Sequence, residues 1–304
     1  MPLKFSLRKK LLIAFLFVGI VPFAVMAVVS LTKAKATLQY QAFAQMQSMR
    51  DVKKGQIEQY LLTIRDQALS FSENHMITAA MAEFSEAFES FLSENDIASG
   101  HVGDLRAQLA TYYDQDFSNA YTEQNDVRAP DVSSIVNGLD DHAVALQYHY
   151  IKANQNPLGS KDKLNRAGDS SRYSELHASY HPTIRNFLDR FGYYDIFLVD
   201  TNTGDIVYSV FKELDFATSL KDGPYARTNF AEAFRKANAA ASNDTVVFTD
   251  LKSYYPSYEA PAGFVASPIF KDGNKIGVLI FQFPLDRLNA IMRTRAGMGE
   301  TGET

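Results

Sequence analysis

Tyr194 to Phe211 reads YDIFLVDTNTGDIVYSVF, two apolar runs on either side of Thr201-Asn202-Thr203-Gly204. The runs Tyr194–Asp200 and Asp205–Phe211 are rich in Ile, Val, Phe and Tyr, residues that fit a pleated, half-buried surface. Asn and Gly between them supply turn conformations, so the stretch predicts a β-hairpin, with Asp200 and Asp205 in the ordinary place for Asp beside a turn. Further on, Gly263–Phe270 and Ile276–Phe283 repeat the pattern around Asp272-Gly273-Asn274 and predict a second hairpin. Thr245–Thr249 predicts a short strand between the two.

Helical patterns surround these strands. Ser174–Arg190 has helical character with an interruption expected at Pro182. Thr228–Ala239 places Phe230 and Phe234 on one face, and Pro284 opens a last helix, Leu285 to Arg295. The order helix, strand, strand, helix, strand, strand, strand, helix predicts an α+β fold, an antiparallel sheet of about five strands with helices across one face. Upstream the chain is mostly helical. Ile57, Leu61, Ile64, Ala68 and Phe71 form one amphipathic stripe, and Met76, Ala80, Phe84, Phe88 and Phe91 form another. Asp104–Tyr113 and Pro130–Tyr150 are shorter helical candidates, and the polar Asn154–Ser171 reads as a loop.

Leu11 to Leu31 is a run of 21 residues without a charge. As a helix it would be roughly 31 Å long, the thickness of a bilayer's hydrocarbon core. Lys4, Arg8, Lys9 and Lys10 crowd its N-terminal edge, while Lys33 and Lys35 follow it, a bias that places the N-terminus in the cytoplasm. A cleaved signal peptide is the competing reading, with Ala34-Lys35-Ala36 as a small-residue site. Its apolar region would normally be about 7–15 residues, so the length favours an uncleaved anchor in the inner (cell) membrane, and Pro22 does not exclude a span. The bulk of the chain is then extracytoplasmic. The 304 residues include no Cys, which excludes disulfides, thiolate nucleophiles and cysteine-ligated zinc. A net charge of −5 argues against a nucleic-acid partner.

Phe191–Phe234 (FGYYDIFLVDTNTGDIVYSVFKELDFATSLKDGPYARTNFAEAF), the continuation from Val246 to Met292, and Gly297–Thr304 (GMGETGET) together resemble the sensor region of double-Cache transmembrane receptors. The resemblance covers roughly residues 172–304 and implies a division into five parts. Residues 1–10 are a cytoplasmic N-terminus, 11–31 a transmembrane helix and 32–171 an extracytoplasmic helical region. Residues 172–295 are a membrane-distal Cache (PAS-like) module, and 296–304 begin a linker to a second module beyond the sequence. It implies a ligand-sensing receptor of the methyl-accepting chemotaxis kind, a homodimer that binds a small molecule and is not itself an enzyme. A receptor-type nucleotide cyclase, a histidine kinase and a membrane-anchored extracytoplasmic enzyme are the alternatives.

A PAS-like sheet holds its ligand between its concave face and the segment linking its early and late strands. That segment carries Tyr225, Arg227, Asp250, Tyr254, Tyr255 and Tyr258 as candidate ligand contacts. A guanidinium can grip a carboxylate, an acid can meet an ammonium, and Tyr rings give apolar walls with polar tips, so an organic acid or an amino-acid-like molecule is expected. The Tyr225-x-Arg227 spacing is shorter than in amino-acid-binding Cache domains, and there is no Trp. No catalytic, cofactor or metal site is expected. Gly297-x-Gly299-x-x-Gly302 lacks the strand and helix that a dinucleotide fingerprint needs. His177 and His181 are four apart, but Pro182 disfavours a shared helical face and no third ligand is evident. Asp140, Asp141 and His142 read as a solvated helix surface.

Overall fold

The computed structural model describes residues 6–294, so Gly297–Thr304 and the linker expected over 296–304 lie outside the described residues. The chain divides into two compact units. One comprises the chain up to Gln59 together with the stretch from Ala290 onward, and the other is Tyr60–Asn289.

The first unit is dominated by the N-terminal part of α1 (Leu7–Ser72), which passes through Pro22 without a break. Every residue from 6 to 48 is exposed, including the apolar run Leu11–Leu31. The helix is long and apolar enough to cross a membrane.

The second unit is built on an antiparallel sheet with helices on both faces. Its helices begin with the end of α1, then α2 (His75–Glu94), α3 (Ser99–Tyr112), α4 (Ser118–Asn125), α5 (Ser133–Asn137), α6 (Asp141–Gln147) and α7 (Arg172–Phe191). Then come β1 (Asp195–Asp200), β2 (Ile206–Ser209), α8 (Asn229–Ala239), β3 (Val247–Phe248), β4 (Lys252–Ser253), β5 (Pro261–Lys271), β6 (Asn274–Phe283) and α9 (Leu285–Arg293). Side chains cap the helix starts as local chemistry requires. Asn74 accepts from Met76 N at 2.8 Å, Asp140 from Ala143 N at 2.7 Å, Ser171 from Ser174 N at 3.2 Å and Thr228 from Ala231 N at 3.3 Å. Single π-helical turns, a form frequent at functional sites, occupy Tyr113–Phe117 and Tyr148–Lys152.

The strands run in the order β2-β1-β6-β5-β3, with β4 paired to β5 off that path, six strands against the expected five. Both sequence hairpins form, and the second is longer than its reading. Helices cover both faces, not one. On one face Phe230 of α8 packs on Phe197 of β1 at 4.5 Å and stacks on Phe264 of β5 at 4.6 Å. On the other, Phe281 of β6 meets Phe71 of α1 and Phe187 of α7, both at 5.8 Å. The run Ile196-Phe197-Leu198-Val199 is fully buried for this reason: each alternate side chain has its own helical layer.

Pro182 does not interrupt its helix. α7 runs through it because the missing N–H forfeits only the bond to the Ala178 carbonyl, while His177, His181, Ile184 and Leu188 hold both halves in the core. His177 and His181 therefore do share a face and stack at 4.3 Å. Each is locked as a neutral tautomer. His177 Nδ1 donates to the Asn165 carbonyl at 2.7 Å. His181 Nε2 donates to the Asp162 carbonyl at 2.6 Å, and its Nδ1 accepts from the Tyr208 hydroxyl at 2.7 Å. The upstream stripe also turns inward, since Ile64, Ala68 and Phe71 are buried within the protomer.

Candidate functional site

The face of the sheet that carries α8 also carries a buried polar cluster. Asp195 opens β1 and stands opposite Gln282 in the β1–β6 register. Just after β2 the chain runs Lys212-Glu213-Leu214-Asp215, with Lys212 in a left-handed conformation (φ 58°). Left-handed backbone at a buried Lys is strain of the sort found at binding sites. Tyr254 reaches in from just before the short helical turn Tyr255–Ser257, Ser257 from within it, and Tyr113 from its π-turn.

Hydrogen bonds tie these pieces together. Tyr194 donates to Glu213 Oε1 at 2.6 Å and Ser257 to Oε2 at 3.0 Å, while Gln282 Nε2 donates to the Ser257 hydroxyl at 3.1 Å. Tyr254 donates to Asp215 Oδ2 at 2.6 Å. Asp195 Oδ1 accepts three backbone N–H groups, those of Ile196 (2.6 Å), Val210 (2.9 Å) and Phe211 (3.0 Å). Gln147 holds the loop to the helical layer: its Nε2 donates to the Leu214 and Phe216 carbonyls and its Oε1 accepts from Tyr113. Lys212 Nζ donates to the carbonyls of Ser209 and Val210 and lies over the rings of Tyr150, Tyr208 and Phe216.

Burial dominates the protonation of the cluster. It pushes Asp215 up to about 6 even though the Tyr254 hydrogen bond pulls the other way. It pushes Glu213 well above the carboxylate range, with the charge of Asp215 adding to the effect. Asp195 is raised by burial and then by Asp215, and Lys212 is lowered by burial against the opposing charge of Asp195. Beside this cluster is a cavity of about 10 Å³, room for one water, lined among others by Tyr113, Phe117, Lys161, Lys212, Glu213 and Tyr258.

The structure gathers four of the six sequence candidates here. Tyr225 and Tyr254 are buried, and Tyr225 shares the electrostatic field of Asp215, Tyr113 and Glu213. Tyr255 packs against Phe117 and Tyr121, and Tyr258 stacks on Phe117 at 5.0 Å. The other two are elsewhere. Arg227 is exposed. Asp250 is exposed too; its carboxylate accepts from Leu251 N at 2.8 Å and its carbonyl from Asn229 at 2.9 Å. Sequence reading missed Asp195, Lys212, Glu213, Asp215 and Gln282. The signal for three of them was that Lys212, Glu213 and Asp215 are interleaved with Val210, Phe211, Leu214 and Phe216, too many large apolar groups for a solvated turn.

No family model matches the chain, and no curated protein matches it. Among solved structures it is similar to the sensor domain of the histidine kinase DctB from V. cholerae, at 15% identity over 61% of this chain and 62% of that one, with a TM-score of 0.31. It is also similar to the sensory domain of the Campylobacter jejuni chemoreceptor Tlp3 with isoleucine bound, at 13% identity over 70% and 67% of the two chains and a TM-score of 0.31. A third is the ligand-binding domain of the Pseudomonas aeruginosa chemoreceptor PctC in complex with GABA, at 12% identity over 66% and 67% and a TM-score of 0.30. The chain thus spans less than two thirds of the length of the first of these structures.

Proposed function

We propose that this chain is the anchored, ligand-sensing portion of a transmembrane receptor of the Cache kind. In this reading residues 11–31 of α1 cross the cell membrane, residues 1–10 stay in the cytoplasm, and the chain beyond residue 31 faces outside. The unit Tyr60–Asn289 then binds a small dissolved molecule in the pocket bounded by Tyr113, Glu213 and Tyr258. Tyr225, Tyr254, Tyr255 and Tyr258 supply its aromatic walls and hydroxyls. The observation that carries the reading is a set of buried polar atoms without partners, Asp195 Oδ2, Asp215 Oδ1, Gln282 Oε1 and the Tyr225 hydroxyl, clustered around Glu213, which itself lines that cavity. Unpartnered buried polar groups are costly, and a ligand that satisfies them recovers the cost.

The chain's contribution is binding, not turnover. The receptor is a homodimer, and its output is of the methyl-accepting chemotaxis kind. The ligand biases signalling only through different affinity for two arrangements of the receptor, typically a coupling of about 1–3 kcal/mol. Two measurements test the reading. A thermal-shift screen of the full chain in detergent against amino acids, organic acids and amines should find a solute that raises the melting temperature. Protease added to intact cells should remove the chain beyond residue 31; protection there, with cleavage only after permeabilisation, would invert the topology and end the receptor reading.

A further inference from the structure

Seven non-glycine residues have left-handed backbone among the described residues. Three of them, Asp96, Asp126 and Asp272, are aspartates, whose short side chains tolerate it. The other four are Lys212 (φ 58°), Ala217 (64°), Tyr258 (55°) and Glu259 (63°). All four fall in two stretches, the loop after β2 and the turn between β4 and β5. Such backbone persists only where its surroundings hold it. Here carboxyl groups fasten the two stretches to each other. Asp215 Oδ2 takes the Tyr254 hydroxyl, and the two oxygens of Glu213 take those of Tyr194 and Ser257.

The fastening has no counter-charge. The groups that act on Glu213 and Asp215 are acids and phenols: Tyr194 and Asp195 at the start of β1, Tyr113 from its π-turn, Tyr225 ahead of α8, and Tyr254 and Tyr258 from the β4–β5 turn. Lys212, their neighbour in the chain, gives its ammonium to the Ser209 and Val210 carbonyls, where it acts on His177 and His181 and is acted on by Asp195, Asp162 and Arg185. Lys161, which shares the cavity lining with Glu213, donates to the Asn154 carbonyl at 2.8 Å. An ionised Asp215 in this setting keeps one oxygen, Oδ1, without a partner while being 1% exposed. Burial accordingly raises its carboxyl to about 6, and burial followed by the charge of Asp215 keeps Glu213 well above the carboxylate range. The closed arrangement holds a proton that an open one, with both carboxyls in water, would release.

Beyond the sensing reading, and whatever solute that reading supplies, we propose that Lys212–Ala217 and Tyr254–Glu259 form a proton-operated latch, closed while the Glu213–Asp215 pair is neutral and opened by loss of a proton from that pair. Opening carries the ionised carboxyl to water and lets Lys212, Ala217, Tyr258 and Glu259 leave their left-handed conformations. The proton shifts the equilibrium because it binds the two arrangements with different affinity. In the topology proposed above the latch faces the external medium, whose pH then sets the closed fraction.

Amide hydrogen exchange of the full chain in detergent reads the latch, with each rate corrected for the intrinsic effect of pH. Between pH 5 and pH 7.5, protection of peptides covering 213–218 and 254–260 should fall by about tenfold or more, while the α8 amides keep theirs. Asp215→Asn stays neutral and keeps an acceptor for Tyr254, so its protection in both peptides should be the same at the two pH values. Parental protection of α8 shows that the variant is folded; should it not be, Asp215→Ser, also uncharged at every pH, takes the same test. His177 and His181 cannot imitate the result, because burial lowers them and their loosening comes as pH falls. Protection in the parent that ignores pH, a loss shared equally by α8, or an unchanged pH response in the uncharged variant each overturns the latch. Any of these leaves the receptor reading standing, which the solute screen decides separately.

Discussion

The hydroxyl of Tyr254 donates a 2.6 Å hydrogen bond to Oδ2 of Asp215, a residue 39 positions earlier. Both side chains are 1% exposed. The bond joins the loop after β2 to the loop between β4 and β5, two of the stretches that line the pocket. It leaves Asp215 Oδ1 without a partner, so the carboxyl is only half satisfied.

Asp215 should make the protein less stable as pH rises. Its native pKa is raised from 3.8 to about 6 by burial, so between these values the folded state holds a proton that the unfolded chain has lost. The stabilisation is fully present below pH 3.8 and disappears as pH climbs through 6. Asp215→Asn removes the titration and keeps an acceptor for Tyr254. Urea unfolding should show the variant gaining on the parent between pH 4 and pH 7, by at most about 3 kcal/mol. A difference independent of pH would mean that the carboxyl is solvated.

His177 and His181 act at the other end of the range. Burial, followed by the charge of Lys212, lowers His181 from 6.5 to about 2 and His177 well below its ordinary value. The folded state therefore binds fewer protons than the unfolded chain, and stability present above pH 6.5 is lost as pH falls. His181→Gln can still donate to the Asp162 carbonyl and accept from Tyr208. The parent's advantage over it should shrink by about 1.4 kcal/mol for each pH unit below 6.5, measured by urea unfolding.

Gly277 is where β6 lets α2 approach. A Cβ there would lie 2.3 Å from Sδ and 2.7 Å from Cγ of Met81. Gly277→Ala should cost about 1–3 kcal/mol, toward the low end because Met can change rotamer. Gly103 in α3 is the contrast, exposed and with nothing within 4 Å of an added Cβ. Gly103→Ala should stabilise by up to about 1 kcal/mol. Paired chemical denaturation curves check both, and equal signs would contradict the packing described.

Asn229 closes the start of α8 onto the sheet, its Nδ2 donating to the Asp250 carbonyl at 2.9 Å and the Ala262 carbonyl at 2.8 Å. Asn229→Ala should cost about 1–3 kcal/mol, since two carbonyls lose a buried donor. The same variant should also weaken ligand binding, because the Asp250–Tyr258 segment loses an anchor. A thermal melt and one titration would show both effects.

Both hairpins and α8 were legible because alternation, turn residues and a helical stripe are local signals. The two-sided cover of the sheet was present in Ile196-Phe197-Leu198-Val199, where four apolar residues in succession mark strands buried on both faces. Pro182 misled because its local penalty is outweighed by packing along α7. At the site, residue chemistry singled out Tyr225, Tyr254, Tyr255 and Tyr258, which the structure buries or half-buries, but could not tell a buried charge from a solvated one. Arg227 and Asp250 went to water, while Glu213 and Asp215, which the sequence pattern did not single out, went inside. That choice is made by which helices close over the sheet, a long-range property.

The polar cluster and the cavity beside it draw on Tyr113, on Glu213 and Asp215, and on Tyr254 to Tyr258, stretches far apart along the chain. Their meeting needs the sheet to be paired and α8 to have crossed it first, so it belongs to the late, downhill part of folding. Contacts absent from the rate-limiting step govern how fast a native molecule comes apart, not how fast it forms. A molecule lodged among these side chains will therefore prolong the lifetime of the folded protein and leave its refolding rate untouched.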